Sequence, residues 1–407
     1  MTLKKLLLLL FVTISTCGFA AEPTATTIKI YGYVGNDFFY NSRQNVEMVD
    51  GIIQLFPKPI ELSAGADKNA VAQAEMLSIN TRLGVDITGT PVLGAKTSGK
   101  IEADFAGFST TYYVFRIRQA YMKLNWAKTE LLIGQTWHPL FGSVVPTTFS
   151  ANAGAPFQPF NRSPQVRLKQ NLSSTLSLTA AALYEMQYAS QGPLGTINTY
   201  MKNALAPNIF VGMENKTSHW TNGVGLDFKS IKPDVKYVSS LSAVAYSQYV
   251  NQKFQLKAKA IYGENLSDQI MLGGYGVSKY ASDSTTVLNY TNFNNLSSWV
   301  NVVYGTKIQV GVLFGLSKNL GTNNDLALRK GGKYTAYGYG YYDATQLVLD
   351  HLYRIAPQVS YNLPNVKFGL EYDFTAATYG TIQKTGLTTN PYSVTNHRVL
   401  ASVCYYF

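Results

Sequence analysis

Apolar and polar residues alternate with a period of two along much of this chain. The clearest case is Thr395 to Phe407. Phe407, Tyr405, Val403, Ala401 and Val399 share one side; Tyr406, Cys404, Ser402, Leu400 and Arg398 share the other. A period of two is a strand with one apolar and one mixed face. The same reading holds from Ile28 to Tyr40, with Ile28, Ile30, Val34, Phe38 and Tyr40 against Lys29, Tyr31, Tyr33, Asp37 and Phe39. From Leu77, the pattern sets Ile79, Leu83, Val85 and Ile87 outside, and Ser78, Asn80, Arg82 and Asp86 inside. Ile101, Ala103 and Phe105 then alternate with Lys100, Glu102 and Asp104. Charges occupy one face only, which a water-filled lumen explains and a packed soluble core does not, because buried unpaired charges are costly. An apolar strand reaching the last residue fits a closed ring, in which the last strand pairs with the first and no edge is left in lipid. Ordinary chain ends fray into water.

Further alternating runs predict about sixteen strands, with short and long connections in turn. They include Phe115–Trp126, Thr129–Trp137, runs beginning at Val166, Leu176 and Phe254, and Val366–Phe374. Within Phe115–Trp126, Arg116 and Arg118 fit the inner face, but the phase drifts after Ala120; a β-bulge or a protein contact on the wall accounts for that equally well. Tight turns are expected at Gly305-Thr306 and at Asn362–Asn365. Long loops are expected at His138–Pro164 and roughly at 186–207, 264–296, 318–349 and 377–394. The first of these holds Pro139, Pro146, Pro156, Pro159 and Pro164, so it is stiffened, and long ordered loops tend to be functional. The predicted class is all-β: a transmembrane antiparallel β-barrel.

The start of the chain changes the picture in one way. Lys4-Lys5, the apolar run Leu6–Val12 and small residues at Gly18, Ala20 and Ala21 read as a secretory signal peptide over 1–20, leaving a barrel domain over 21–407. Without it, one cysteine remains, Cys404, so no intramolecular disulfide or cysteine-based zinc site is available. No later apolar run is long enough for a membrane helix. The formal charge of +11 falls to +9 without Lys4 and Lys5. It is spread over alternating strand positions rather than gathered in a basic run, which argues against nucleic acid.

The terminal Phe407, with Tyr405 two before it and apolar residues alternating upstream, resembles the carboxy-terminal signature of Gram-negative outer-membrane barrels. In that family the barrel assembly machinery recognises it. The strand count and the long loop after the fifth strand resemble the trimeric porins, whose third long loop folds into the lumen as a constriction. Arg116-Ile117-Arg118-Gln119-Ala120-Tyr121 and Leu132-Ile133-Gly134-Gln135-Thr136-Trp137 are most similar to the DcaP-like porins. The resemblance implies an outer-membrane homotrimer among lipid and lipopolysaccharide, passing small hydrophilic solutes without a cofactor or metal. Its constriction wall would include Arg116 and Arg118.

Selectivity in such a channel follows lumen width and the sign of the lining charges. The inward cations Arg82, Arg116, Arg118, Arg167, Lys169 and Arg354 are the candidate pore-lining and constriction residues. Guanidinium stays charged and binds carboxylate or phosphate with two donors, so anionic solutes are expected. Each of these residues is as readily a solvated lumen charge setting a weak field. Trp126, Trp137 and Trp220 read as interfacial anchors or as ordinary packing. The competing classes are an adhesive or structural barrel with a plugged lumen, and a barrel enzyme. His138, His219, His351 and His397 sit in no recognisable catalytic motif, so the enzyme class is not the expectation.

Overall fold

The computed structural model describes residues 26–108 and 111–407, so the expected signal peptide lies outside the described residues. Sixteen strands form one closed antiparallel wall. They are β1 (Thr27–Asn41), β2 (Arg82–Thr88), β3 (Lys96–Phe108), β4 (Thr111–Asn125), β5 (Thr129–Trp137), β6 (Arg162–Asn171), β7 (Leu176–Leu183) and β8 (Asn208–Lys216). The second half has β9 (Trp220–Ile231), β10 (Val238–Val250), β11 (Phe254–Glu264), β12 (Val287–Gly305), β13 (Ile308–Thr322), β14 (Leu347–Asn362), β15 (Val366–Ile382) and β16 (Thr388–Tyr406). The ring closes where β1 pairs with β16, from Tyr33 opposite Tyr406 to Asn41 opposite Arg398. Closure satisfies every wall strand on both sides, the condition for crossing a membrane with strands.

The alternation expected for β1 and β16 is what the wall shows. Ile28, Ile30, Val34, Phe38, Val399, Val403 and Tyr405 face outward and exposed, whereas Asp37, Phe39, Leu400, Arg398 and Ser402 are buried inside. Short turns join the strands at one end, such as Thr306-Lys307 between β12 and β13. Long loops crowd the other end. The first loop, L1 (42–81), and the third, L3 (138–161), enter the lumen. The L1 hairpin Asn45–Met48 with Ile53–Pro57 is buried throughout its second arm. It packs with Phe141, Val144, Phe157 and Phe160 of L3 in one apolar cluster against Leu352, Ala356, Ala377 and Tyr379 of the wall.

Several expectations are corrected. Leu77 and Ile79 are buried inside rather than turned outward. Residues 73–77 pair with the upper part of β1 and residues 82–88 with its lower part. The irregular link between them, where the Thr81 hydroxyl accepts from the Gly35 N–H, breaks the alternation. The last connection spans only 383–387, because β15 and β16 run on as long strands that rise past the neighbouring wall. Likewise, part of the stretch expected as loop at 264–296 is strand: Gly273–Tyr280 pairs with β12 and with Ala336–Tyr339. Gly274, at φ 156°, lies there so close to Tyr337 O that a Cβ would collide with it. Trp137 is no interfacial anchor; it stacks inside on Phe141 with centroids 4.0 Å apart. Trp126 and Trp220 are exposed on the wall beside the short turns, the position of an aromatic belt.

Candidate functional site

A bulge builds a densely charged part of the lumen. β3 and β4 pair Glu102 with Gln119 and then Ala103 with Ile117, so Arg118 is the extra residue. The bulge turns both Arg118 and Gln119 inward and resets the phase, which is why Met122 then faces out. Gln135 on β5 covers the disturbance by donating to Ile117 O and Arg118 O, each at 3.3 Å.

Two carboxylates organise the arginines. Asp104 takes Arg116 with two donors, Nε at 2.7 Å and NH2 at 3.3 Å, and also takes Arg118 NH1. Glu102 accepts from Arg118 Nε at 3.0 Å, Gln119 Nε2 at 3.2 Å and Tyr31 OH at 3.1 Å. Arg82 NH1 stands 3.6 Å from Glu102, with its guanidinium over the Tyr33 ring. Paired, two-point contacts of this kind fix guanidinium planes within a fraction of an ångström of one geometry.

Tyr33, Arg82, Asp104, Arg116 and Arg118 border a cavity of about 320 Å³, together with Trp137, Phe149, Phe160, Lys367 and Cys404. Four cations, Arg82, Arg116, Arg118 and Lys367, face it against Asp104 and the adjoining Glu102. Arg162, at the foot of L3, adds a fifth positive charge behind Trp137. Its guanidinium lies 4.5 Å from that ring's centroid, and among the described residues no carboxylate comes within salt-bridge reach.

Arg167 and Lys169 lie elsewhere. They line a second cavity of about 490 Å³ with Lys123, Glu130, Glu214, Ser143 and Tyr246. Lys123 pairs with Glu130 at 2.9 Å and Lys169 reaches Glu214 at 3.8 Å, while Arg167 forms no ion pair among the described residues. Trp137 borders both cavities. Arg354 faces neither. It is 1% exposed, and its NH1 and NH2 donate to loop carbonyls. Of the six candidate residues, the structure therefore gathers Arg82, Arg116 and Arg118, sets Arg167 and Lys169 apart, and covers Arg354.

L3 is the second half of the site. Between residues 139 and 161 it carries no Asp, Glu, Lys or Arg. The wall holds it in place. Trp299 Nε1 donates to Gln158 Oε1 at 2.9 Å, Thr147 N to Asn301 Oδ1 at 2.8 Å, and Gln358 Nε2 to Thr147 O at 2.6 Å. Glu371 accepts from the backbone N–H groups of Phe149 and Ser150. Lys257 and Lys259 donate to Thr147 Oγ1 and Phe141 O. Pro139–Phe141 form a 3₁₀ turn started by His138, whose Nδ1 accepts from Leu140 N. Burial pushes the His138 imidazole down to about 4, so its ring stays neutral at neutral pH. In the fourth long loop (184–207), burial and the Asp268 charge push the Glu185 carboxyl up to about 7.

Sequence reasoning missed Glu102 and Asp104 as organisers, and Arg162 and Trp137 as parts of the site. The carboxylates showed only as inward positions on β3. Their partners on β4 become visible only with the register and its bulge. Among the described residues, no group of three or more His, Cys, Asp or Glu is placed to hold a metal.

No protein-family model matches the sequence, and no curated protein matches it. Solved structures do. The outer membrane channel DcaP of Acinetobacter baumannii superposes with a TM-score of 0.68 at 17% identity, covering 94% of this chain and 98% of that one. This chain has the fold of the outer-membrane porins. The anion-selective porin from Comamonas acidovorans matches with a TM-score of 0.55 at 11% identity, over 94% and 100% of the two chains. OmpF of Salmonella typhi, in complex with daunomycin, matches with a TM-score of 0.52 at 10% identity, over 93% and 97%. The sixteen-strand barrel is thus shared at identities where side chains are not, so the charge pattern must be read from this chain alone.

Proposed function

We propose that this protein is a passive outer-membrane channel for small hydrophilic solutes that favours anions, working as a homotrimer and without catalysis. One observation carries the anion preference: the constriction loop brings no carboxylate to face the arginines. The cations of the first cavity outnumber Asp104 and Glu102, and those of the second outnumber Glu130 and Glu214. In a narrow lumen with low-dielectric walls such an excess raises the local anion concentration. Arg82, Arg116 and Arg118 form the constriction wall, and Arg167 and Lys169 line the neighbouring path. The Comamonas neighbour is an anion-selective porin, which is compatible with this, and OmpT of Vibrio cholerae, which shares the fold, has a trimeric form. Export by the leader over 1–20, recognition of Phe407 by the assembly machinery, and an outer-membrane setting among lipid and lipopolysaccharide complete the reading. Zero-current potentials of the reconstituted protein across a potassium chloride gradient test it; a potential of the sign set by potassium would sink the anion preference.

A second reading has one specific observation behind it. On the outer wall near the long-loop end, Thr378 Oγ1 lies 3.2 Å from His351 Nε2, and His351 Nδ1 lies 2.6 Å from Asp350 Oδ2. A hydroxyl, an imidazole and a carboxylate in that order are the parts of a hydrolase. Against it, Lys318 binds the same Asp350 oxygen at 2.5 Å. Thr378 also pairs on both flanks, to His351 and Ser393, so the local backbone N–H groups lie in the sheet rather than aimed at an oxyanion. We read the row as interfacial polar structure. Ester hydrolysis by the purified barrel that vanishes in H351A would reverse that choice.

A further inference from the structure

The inner wall of β14–β16 carries a set of anchors, most of which hold one loop. Glu371 accepts only from L3. Tyr379 OH donates to Pro57 O of L1 at 2.7 Å, and Arg398 NH1 to Gly51 O of L1 at 3.0 Å. Arg354 differs. Its Nε donates to Thr375 Oγ1 on β15 at 2.8 Å, which fixes the plane of the group. From there NH1 reaches Ala155 O of L3 at 3.1 Å, and NH2 reaches Leu55 O at 2.9 Å and Gln54 O at 3.3 Å, both in L1. The guanidinium also faces the Phe157 ring of L3, 5.7 Å away. The loops touch each other next to it, where Asn152 Nδ2 donates to Gln54 O at 3.5 Å.

We propose that Arg354 sets the width of the lumen by clamping L1 and L3 into one docked state, so that the two loops stay in or come out together. The clamp deepens the channel reading and rests on it. A guanidinium is suited to this because its donors diverge in one rigid plane, letting a single charge serve carbonyls from two segments a hundred residues apart in sequence. Among the described residues Arg354 makes no carboxylate ion pair, so the carbonyls of the two loops are what replace its water. Withdrawing either loop strips part of that shell and admits water to the rest, which weakens the grip on the other loop. That is a coupling through one shared group. Arg354 is thus a positioning residue for the channel and no part of its solute-facing wall.

The test compares wild type, R354A, R354K and Y379F, purified as folded barrels. Two readouts are taken: single-channel conductance, and hydrogen exchange of residues 53–57 and 149–155. A lysine offers one point of contact where the arginine offers a fork, so R354K keeps the charge and loses the bridge. The expected result for R354A and R354K is a step conductance roughly doubled over wild type, with exchange speeding up in both loop segments together. Y379F removes an L1 anchor and leaves Arg354 in place, so exchange should rise in both segments together, by a smaller factor. Conductance and exchange at wild-type values in R354K would overturn the clamp, and so would loss of protection in only one loop. Should R354A yield no folded barrel, R354K still decides. If wild type itself does not conduct, the channel reading fails while the exchange comparison continues to judge the clamp.

Discussion

The two sides of the lumen use the same side chain for different ends. On β2–β4, Arg82, Arg116 and Arg118 are held by Glu102 and Asp104 and border open volume. On β14 and β16, Arg354 and Arg398 are 1% exposed and are held by loop carbonyls. Both sets occupy inward positions of alternating strands, and what differs is the partner. A carboxylate partner fixes a guanidinium while leaving its outer edge to water and solute. A carbonyl partner on an inserted loop uses the same donors to fix the loop. An inward arginine in a barrel therefore identifies a wall face, and the element folded over it decides whether it acts on solutes or on architecture.

The largest break in this comparison comes from the loop side. Trp299→Ala removes a buried ring and the hydrogen bond to Gln158 that seats L3. A loss of about 3–5 kcal/mol is expected for a buried Trp truncation, read as a lower unfolding temperature of the barrel and as noisy, enlarged conductance steps. Next in size, replacing Arg116 and Arg118 together by Gln leaves Glu102 and Asp104 facing the first cavity with Arg82 and Lys367 as the remaining lining cations. The zero-current potential should move towards potassium, and the unfolding temperature should fall as well, because two buried carboxylates lose their closest partners. An unchanged potential would show those arginines to be passive. A smaller effect is expected at Cys404, which lines the same cavity. An anionic methanethiosulfonate added to the open channel should lower the current in wild type and leave C404S unaffected, and it should react faster than a cationic reagent of similar size.

The smallest effect is pH-dependent and lies in the fourth long loop. The Glu185 carboxyl accepts from Ser190 N and Oγ, each at 2.8 Å, and is surrounded by Asp268, Asp227 and Lys229. Burial holds its pKa up near 7, so the folded state prefers it protonated. That contribution is complete below the ordinary carboxylate range and is lost as pH rises through about 7. Protection factors for residues 184–190 should fall as pH rises from the ordinary carboxylate range to about 7 and level off above it, and E185Q should flatten the change. His138 contributes in the opposite sense: its neutral ring is favoured, and that contribution is lost as pH falls towards about 4.

Much of the wall was legible because period-two alternation is a direct projection of its geometry. Ile28 to Tyr40 and Val399 to Phe407 carry it without interruption, and L3 stood out by its prolines. The reading failed where a third element intervened. Leu77 and Ile79 look outward by phase, yet an irregular link turns them in. Arg118 lies on a bulge that sequence shows only as a drift after Ala120. L1 gave no signal: nothing in the short apolar stretch Ile53, Leu55 and Phe56 marks it as the filling of the lumen. For the same reason Arg354 read as a pore residue: burial by a loop leaves no mark in the strand that is buried.

The central claim is that a constriction without loop carboxylates, faced by excess wall cations, selects anions. The most direct test is the zero-current potential of single wild-type channels across a potassium chloride gradient. The account predicts a potential of the sign set by chloride, shrinking as salt rises and screens the lining charges. A potential of the sign set by potassium, in a channel of otherwise normal conductance, would contradict it.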